Sequence, residues 1–278
     1  MTSLTRESGI LSFLRHSLTW LAVGVLVIGA ISIFVGAGPA PALLCAAGAI
    51  IAYCLVMRFV AGRRIPELAL GHVLRDTLIG AAIAVAFLVV SIGAITLLGG
   101  YRFTFDGAVG MRVLPGLIAL AIGGAVTEEL VFRGLGLQAI EKLAGSWIAL
   151  GVTAALFGLA HAANPSATLW SSIAIAIEAG GLMGAAFIWR RSLWLVFSLH
   201  ATWNGLEQAI GIPVSGHVAP GLAVATMHGP AFLTGGDFGL EGSVVTVVVN
   251  LAITGILLVA GRRNLQPFNL PRARRPRA

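Results

Sequence analysis

Long apolar stretches constrain this 278-residue chain more than any other feature of its sequence. A helix needs about 20 mostly apolar residues to cross the hydrocarbon core of a bilayer. Eight stretches of this kind are found, at about 18–36, 40–60, 76–99, 113–135, 146–163, 167–189, 192–211 and 243–261. They lack the alternation of barrel strands and are too long for them, which leaves helices as the spanning structure. The sequence therefore predicts an all-α, polytopic transmembrane helical bundle of about eight spans, forming a single transmembrane domain over 1–278.

The composition supports a membrane protein and argues against a nucleic-acid-binding one. Hydrophobic residues make up 58% of the chain and charged residues only 10%, whereas a soluble domain usually carries about 25% charged residues. The net charge of +7 is spread over short connections and a basic tail, as expected for orientation in a membrane. We therefore expect the lipid bilayer as a partner and no nucleic acid.

Basic residues alternate between successive connections. Most Arg residues and the single Lys lie before span one, after the even-numbered spans and in the tail, whereas the other connections are poor in cations. The positive-inside rule then predicts an N-in/C-in topology with a basic cytoplasmic tail at 262–278.

The long 212–242 connection contains Gly235-Gly236-Asp237, but no second membrane Asp accompanies it, so it is interpreted as a turn rather than an aspartyl protease site.

Span four carries three ionisable residues, Glu128, Glu129 and Arg133. Each such group costs about 2.5–3.5 kcal/mol on insertion scales and therefore marks function by default. Glu129 and Arg133 are four residues apart on one helix face, which favours a salt bridge. Glu128 points about 100° away and is free for another task. A buried structural ion-pair network is the alternative interpretation.

Further polar residues lie in spans five to seven. Phe157 and His161 are four residues apart, as are His200 and Asn204, so each pair shares one face of a helix. With a rise of about 1.5 Å per residue, Glu128 and the two histidines reach overlapping depths on the cytoplasmic side of the membrane midplane. A cleft opening to the cytoplasm follows from that topology. Interhelical hydrogen bonding is the alternative for the histidines and Asn204. Glu178, followed by glycines that allow close packing, is interpreted as a structural partner or as support for the site.

Three motifs together resemble the CPBP family, the CAAX prenyl protease and bacteriocin-processing group of intramembrane proteases. The family pattern is E-E-x-x-x-R, F-x-x-x-H and H-x-x-x-N or H-x-x-x-D, and this chain has all three in order, each in a predicted span: Glu128-Glu129 with Arg133, Phe157 with His161, and His200 with Asn204. The resemblance covers about 120–210, which would be the core of the domain.

The resemblance implies an intramembrane endopeptidase acting on a peptide or membrane-protein substrate. Glu128, assisted by His161, would deprotonate a water, and His200 and Asn204 would donate hydrogen bonds to the oxyanion. Glu129 and Arg133 would fix the helix and the charge of Glu128, with Phe157 in a supporting position. The roles of the two glutamates could be exchanged.

The sequence requires no cofactor, but Zn²⁺ is an alternative. Glu128, His161 and His200 form a competent zinc ligand set, which would leave the second glutamate as the base. Because there is no H-E-x-x-H, the zincin arrangement is excluded, and glutamate-activated water without an obligatory metal is favoured.

Two other functions compete with proteolysis. One is a non-catalytic scaffold or bacteriocin-immunity protein, although no motif position is degraded. The other is a proton-coupled transporter, for which polar residues through the whole membrane depth and inverted repeats would be expected. The resemblance to bacterial members and the preference for Arg over Lys indicate a bacterial cytoplasmic membrane.

Overall fold

The computed structural model describes residues 15–105 and 107–267. Most of the predicted basic tail, from 268 onward, lies outside the described residues, as do Arg6 and Asp106. Helices dominate the described part, and three of them continue into short π-helical segments. The main helices are α1 (Ser17–Val35), α2 (Pro39–Leu55), α3 (Val73–Leu97), α4 (Gly107–Glu129), α5 (Gln138–Ala160), α6 (Leu169–Ile175), α7 (Leu182–Arg190), α8 (Leu193–Ala209), α9 (Ala231–Thr234) and α10 (Val244–Ala260). The π-helical segments are Val56–Val60, Leu130–Leu137 and Ala176–Gly181.

Each of the eight predicted spans falls on helical structure. Within the described residues, five helices are long and apolar enough to cross a membrane: Ser17–Val35, Pro39–Val60, Leu70–Leu97, Met111–Ala160 and Leu169–Arg190. The 50-residue helix contains two predicted spans, which separate at Gly145, where φ is 79°. Val244–Ala260 is a shorter apolar helix. The all-α bundle is confirmed, whereas the count of eight spans and the orientation stay predictions.

The connections gather at two opposite ends of the bundle. At one end, which we call the cation-rich end, Arg63 hydrogen-bonds to Gln138, Arg191 to Glu141, and the backbone of Ser146 to Gln266. At the other, the cavity end, Asn164 hydrogen-bonds to the carbonyl of Ser215 and the backbone of His228 to Gly100. The alternating connections of the sequence are thus segregated, as an up-and-down bundle requires.

Two connections at the cavity end form a small sheet that the sequence analysis did not predict. Strands β1 (Tyr101–Phe105) and β2 (Ala223–Met227) pair antiparallel, with Tyr101 opposite Met227. Five-residue strands without a long apolar alternation give little signal, and their pairing depends on contacts more than 100 residues apart. At Gly235-Gly236-Asp237, where the sequence predicted a turn, both glycines have positive φ (85° and 58°) and Gly236–Phe238 forms a single turn of 3₁₀ helix.

Glycines let the helices that hold the site approach closely. A Cβ on Gly158 would lie 2.3 Å from the Ser172 carbonyl oxygen, and one on Gly180 would lie 2.7 Å from the Ala154 Cα. A Cβ on Gly184 would lie 2.4 Å from Leu150. Since these distances exclude any side chain without movement, the small residues fix α5 against the helix that contains Glu178, as the sequence predicted.

Candidate active site

The predicted salt bridge of span four forms and is fully buried. Arg133 Nη1 lies 2.8 Å from Glu129 Oε1, and both side chains have no exposed surface. The same carboxylate oxygen lies 2.9 Å from His200 Nδ1 on α8. Arg133 and His200 therefore meet at one oxygen of Glu129, which neutralises a charge that would otherwise be costly in the bilayer.

Arg133 is also held by backbone and aromatic groups. Its Nη2 donates to the carbonyls of Ala179 (2.8 Å) and Gly180 (3.1 Å), which belong to the π-helical segment Ala176–Gly181. Its guanidinium lies 5.0 Å from the centre of the Phe157 ring, a cation–π distance. Arg133 itself lies in the π-helical segment Leu130–Leu137. Single π turns within α-helices are frequent at functional sites, and here two of them meet at one guanidinium.

Glu128 has a different environment from its neighbour. Its side chain is 36% exposed, and its Oε2 lies 4.0 Å from His161 Nε2. No hydrogen-bond partner is found for this Oε2 within the described residues. The two glutamates thus differ: Glu129 is buried and paired, whereas Glu128 lines a cavity with one carboxylate oxygen that has no hydrogen-bond partner among the described residues.

The tautomer of His161 follows from its hydrogen bond. His161 Nδ1 lies 2.8 Å from the carbonyl oxygen of Phe157. Because a carbonyl only accepts, Nδ1 carries the proton, and the neutral ring presents the Nε2 lone pair towards Glu128. The imidazole also stacks on Phe157, with ring centres 4.6 Å apart. Phe157 therefore orients both His161 and Arg133.

The cavity next to Glu128 has a volume of about 730 Å³. Its walls bring together most of the predicted site residues: Glu128, Phe157, His161, His200 and Asn204. Glu129 and Arg133 lie behind the wall, joined to it through His200. Glu178 is not brought into the cavity; it is fully buried, and its Oε2 accepts a 3.4 Å hydrogen bond from Asn250 on α10. Its neighbours in the π-helical segment, rather than its carboxylate, contact Arg133.

The arrangement does not fit the proposed zinc ligand set. Within the described residues, no group of three His, Cys, Asp or Glu side chains is arranged to hold a metal ion.

The cavity lies at the end of the bundle where the cation-poor connections gather, opposite to the end at which an N-in topology would place the expected cytoplasmic cleft. The cavity is lined by Ala37, Asn164 and the segment 214–219, which all belong to the cation-poor connections. No residue of the cation-rich connections lines it within the described part of the chain. Helix rise gave the distances along each helix, but not where each helix begins relative to its neighbours.

Two acidic residues at the cavity end were not predicted from the sequence. Glu207 on α8 accepts hydrogen bonds from Trp203 Nε1 (2.8 Å) and the Leu240 backbone (3.0 Å). Glu241, which lines the cavity, accepts two 3.1 Å bonds from Ser215. Burial raises the pKa of Glu241 to about 7. The signal for Glu207 was present, since it is an acid in the same predicted span as His200.

Comparison with known families supports the resemblance. Residues 110–206 match the family described as type II CAAX prenyl endopeptidase Rce1-like. No curated protein and no solved structure matches the chain. An endopeptidase family does not favour the scaffold or transporter alternatives, and with the apolar helices it identifies an integral membrane protein. Residues 110–206, which contain all three motifs, are thus similar to the Rce1-like type II CAAX prenyl endopeptidase family, a family of proteases.

Proposed function

We propose that this protein is an intramembrane endopeptidase that hydrolyses peptide bonds with a water molecule activated by Glu128. The observation that carries the proposal is the pairing of a cavity-lining carboxylate, which has no Arg or Lys in an ion pair with it among the described residues, with a histidine 4.0 Å away. A water between Glu128 Oε2 and His161 Nε2 would hydrogen-bond to both atoms. General bases act at this range, either directly or through one water.

In the attack step, Glu128 takes a proton from the water as its oxygen adds to the scissile carbonyl carbon. His161 accepts the second hydrogen bond and orients the water lone pair. Glu128 then gives the same proton to the leaving amine as the carbon–nitrogen bond breaks. One carboxylate thus serves as base and then acid, and the overall reaction consumes one water.

His200 and Asn204 are assigned to the carbonyl oxygen, on which negative charge develops. Both line the cavity wall and are four residues apart on α8. His200 donates Nδ1–H to Glu129, so it can donate a second bond through Nε2 only as the imidazolium. The Glu129 charge stabilises that form, and the Asn204 amide donates without titrating. Fixed donors of this kind contribute about 2.7–4 kcal/mol each to lowering the barrier.

Glu129 and Arg133 act through His200 rather than on the substrate. Glu129 is fully buried, so it cannot reach a peptide in the cavity without a large rearrangement. Arg133 pairs with Glu129 at the end of α4 and also donates to the carbonyls of Ala179 and Gly180. This division supports Glu128 as the base and leaves the exchanged assignment without a geometric advantage.

The substrate class follows from the family and the membrane setting. A peptide segment, free or part of a membrane protein, fits a 730 Å³ cavity at one end of the bundle. A preference for a prenylated cysteine is not transferred, because no motif in this chain recognises a lipid directly. We place the protein in the cytoplasmic membrane of a bacterium.

The proposal is tested with purified protein in detergent, using fluorescent casein and a quenched peptide panel. Glu128→Gln should lower cleavage by about 10²–10⁴-fold, the usual contribution of a positioned general base, with an unchanged melting temperature. Glu178→Gln is the matched control, because it neutralises a buried membrane glutamate outside the cavity and should keep activity. Full activity in Glu128→Gln would refute the assignment of the base.

A further inference from the structure

The charges of the two ends define how the cavity is oriented in the membrane. Ten cations of the described residues belong to the cation-rich end, and only two, Arg102 and Arg112, lie at the cavity end. Those of the cation-rich end are Arg15, Arg58, Arg63, Arg64, Arg75, Lys142, Arg190, Arg191, Arg262 and Arg263. Since Lys and Arg in short connections are retained on the cytoplasmic side, this difference orients the cation-rich end inward.

The cavity is separated from the cation-rich end by a buried network. Beyond Arg133, the carbonyl of Gly134 accepts a 3.3 Å hydrogen bond from Tyr53 Oη, and Tyr53 also bonds to Glu67. Arg63 and Gln138 complete this cluster at the cation-rich end. The Glu129–Arg133 pair and this cluster therefore stand in sequence between the cavity and that end, so a peptide has no described route from it.

At the cavity end, by contrast, two openings reach Glu128. The main cavity is bordered by His217 and Val218, both exposed, with Val218 79% exposed. A second cavity of about 330 Å³ shares Ala37, Leu120 and Glu128 with it and extends along the loop at Gly36–Gly38. One opening faces the end of the bundle and the other the groove between α2 and α4.

We infer that the catalytic cavity opens on the extracytoplasmic face of the membrane, and that the substrates are peptide segments exposed at that face. The inference rests on the proposed proteolytic function and gives its compartment. Substrates of this class are exported proteins or the outer ends of membrane-inserted segments. Cytoplasmic proteins and peptides are excluded from the site.

Cysteine labelling tests the orientation without any assay of cleavage. In a background with Cys45→Ala and Cys54→Ala, the two native thiols are removed. Val218→Cys then reports on the cavity mouth and Arg64→Cys on the opposite end, and both positions are exposed. With a membrane-impermeant maleimide, Val218→Cys should be labelled in intact spheroplasts, and Arg64→Cys only in inverted vesicles or after permeabilisation. The reverse pattern would overturn the inference.

Cleavage in detergent separates the two proposals, since both faces are accessible there. If Arg64→Cys is labelled in intact spheroplasts while wild type still cleaves casein in a Glu128-dependent way, the orientation is wrong and the protease assignment stands. If Val218→Cys is labelled from outside but cleavage does not depend on Glu128, the proteolytic function fails. A third arm uses proteoliposomes sorted by the labelling of Val218→Cys. External casein should be cut only by molecules whose cavity faces outward, and cleavage by inward-facing molecules would refute the inference.

Discussion

The buried carboxylates at the two ends of the bundle have different kinds of partner. At the cation-rich end, Glu67 pairs with Arg63 at 2.6 Å and Glu141 with Arg191 at 2.8 Å. At the cavity end, neither Glu207 nor Glu241 has an Arg or Lys partner among the described residues; their hydrogen bonds come from backbone groups, Trp203 and Ser215. One end uses ion pairs to fix the connections, whereas the other holds buried carboxyl groups through hydrogen bonds from neutral groups.

The Glu129–Arg133 pair lies between these two regions and gives the largest expected effect. Arg133→Ala leaves Glu129 as a buried charge, which typically costs about 3–5 kcal/mol, and it also releases the carbonyls of Ala179 and Gly180. Arg63→Ala at the cation-rich end should cost less, because Arg63 is 30% exposed and water can replace it. Thermal unfolding in detergent measures both variants.

Cleavage assays on the same variants extend the comparison between Arg133 and Arg63. Arg133→Ala should lose cleavage together with stability, since His200 loses its fixed partner, while Arg63→Ala should keep cleavage below its melting temperature. Arg133→Lys serves as the conservative variant. It keeps the charge but cannot bridge Glu129 and two carbonyls in the planar geometry of a guanidinium. Loss of activity in Arg133→Ala at an unchanged melting temperature would contradict the supporting role.

The next prediction concerns acid stability of the cation-rich end. Burial alone would raise the pKa of Glu67, but hydrogen bonds from Arg63 and Tyr53 outweigh it and hold the pKa below its usual 4.5. The stability contributed by Glu67 is therefore present above pH 4.5 and is lost as pH falls through the lowered folded value. Melting temperatures between pH 3 and 6 should show a smaller acid loss in Glu67→Gln than in wild type.

The cavity end should respond to pH with the opposite sign. The pKa of Glu241 is raised by burial to about 7. Its contribution to the free energy of unfolding is therefore complete below pH 4.5 and is lost as pH rises towards 7. The loss amounts to at most about 3 kcal/mol. Glu241→Gln keeps the shape of the side chain without the charge. In this variant the melting temperature should change less between pH 5 and 8 than in wild type. A wild-type melting temperature that rises over this range would show that the carboxyl is ionised when folded.

The sequence predicted contacts that depend on helical spacing and missed those that depend on loops. The Glu129–Arg133 bridge follows from a separation of four residues, and the meeting of Glu128 with His161 follows from comparable distances along two helices. The pairing of Tyr101–Phe105 with Ala223–Met227 has no such local signal. The location of the cavity was also unpredictable, because it depends on how connections fold over helix ends.

The choice between the two glutamates shows the same limit. Adjacent residues on a helix point about 100° apart, but the sequence does not say which direction faces the cavity. In the structure, His200 and Arg133 approach Glu129 and leave Glu128 on the wall. The helical fold and the identity of the cluster were thus predictable, while the question of which glutamate lines the cavity required three-dimensional contacts.

The smallest expected effect on cleavage is that of a chelator, which tests whether Glu128 at the cavity end acts as a base or as a metal ligand. We expect EDTA or 1,10-phenanthroline to leave casein cleavage unchanged, because the histidines and Glu128 are not arranged around one centre. Activity lost on chelation and restored by Zn²⁺, but not by Mg²⁺, would instead mean that the cavity rearranges to hold a metal, with Glu128 as a ligand. Glu129 would then be the remaining base. That result would predict a Glu129→Gln variant that binds Zn²⁺ without cleaving, whereas the arrangement proposed here predicts loss of stability in the same variant.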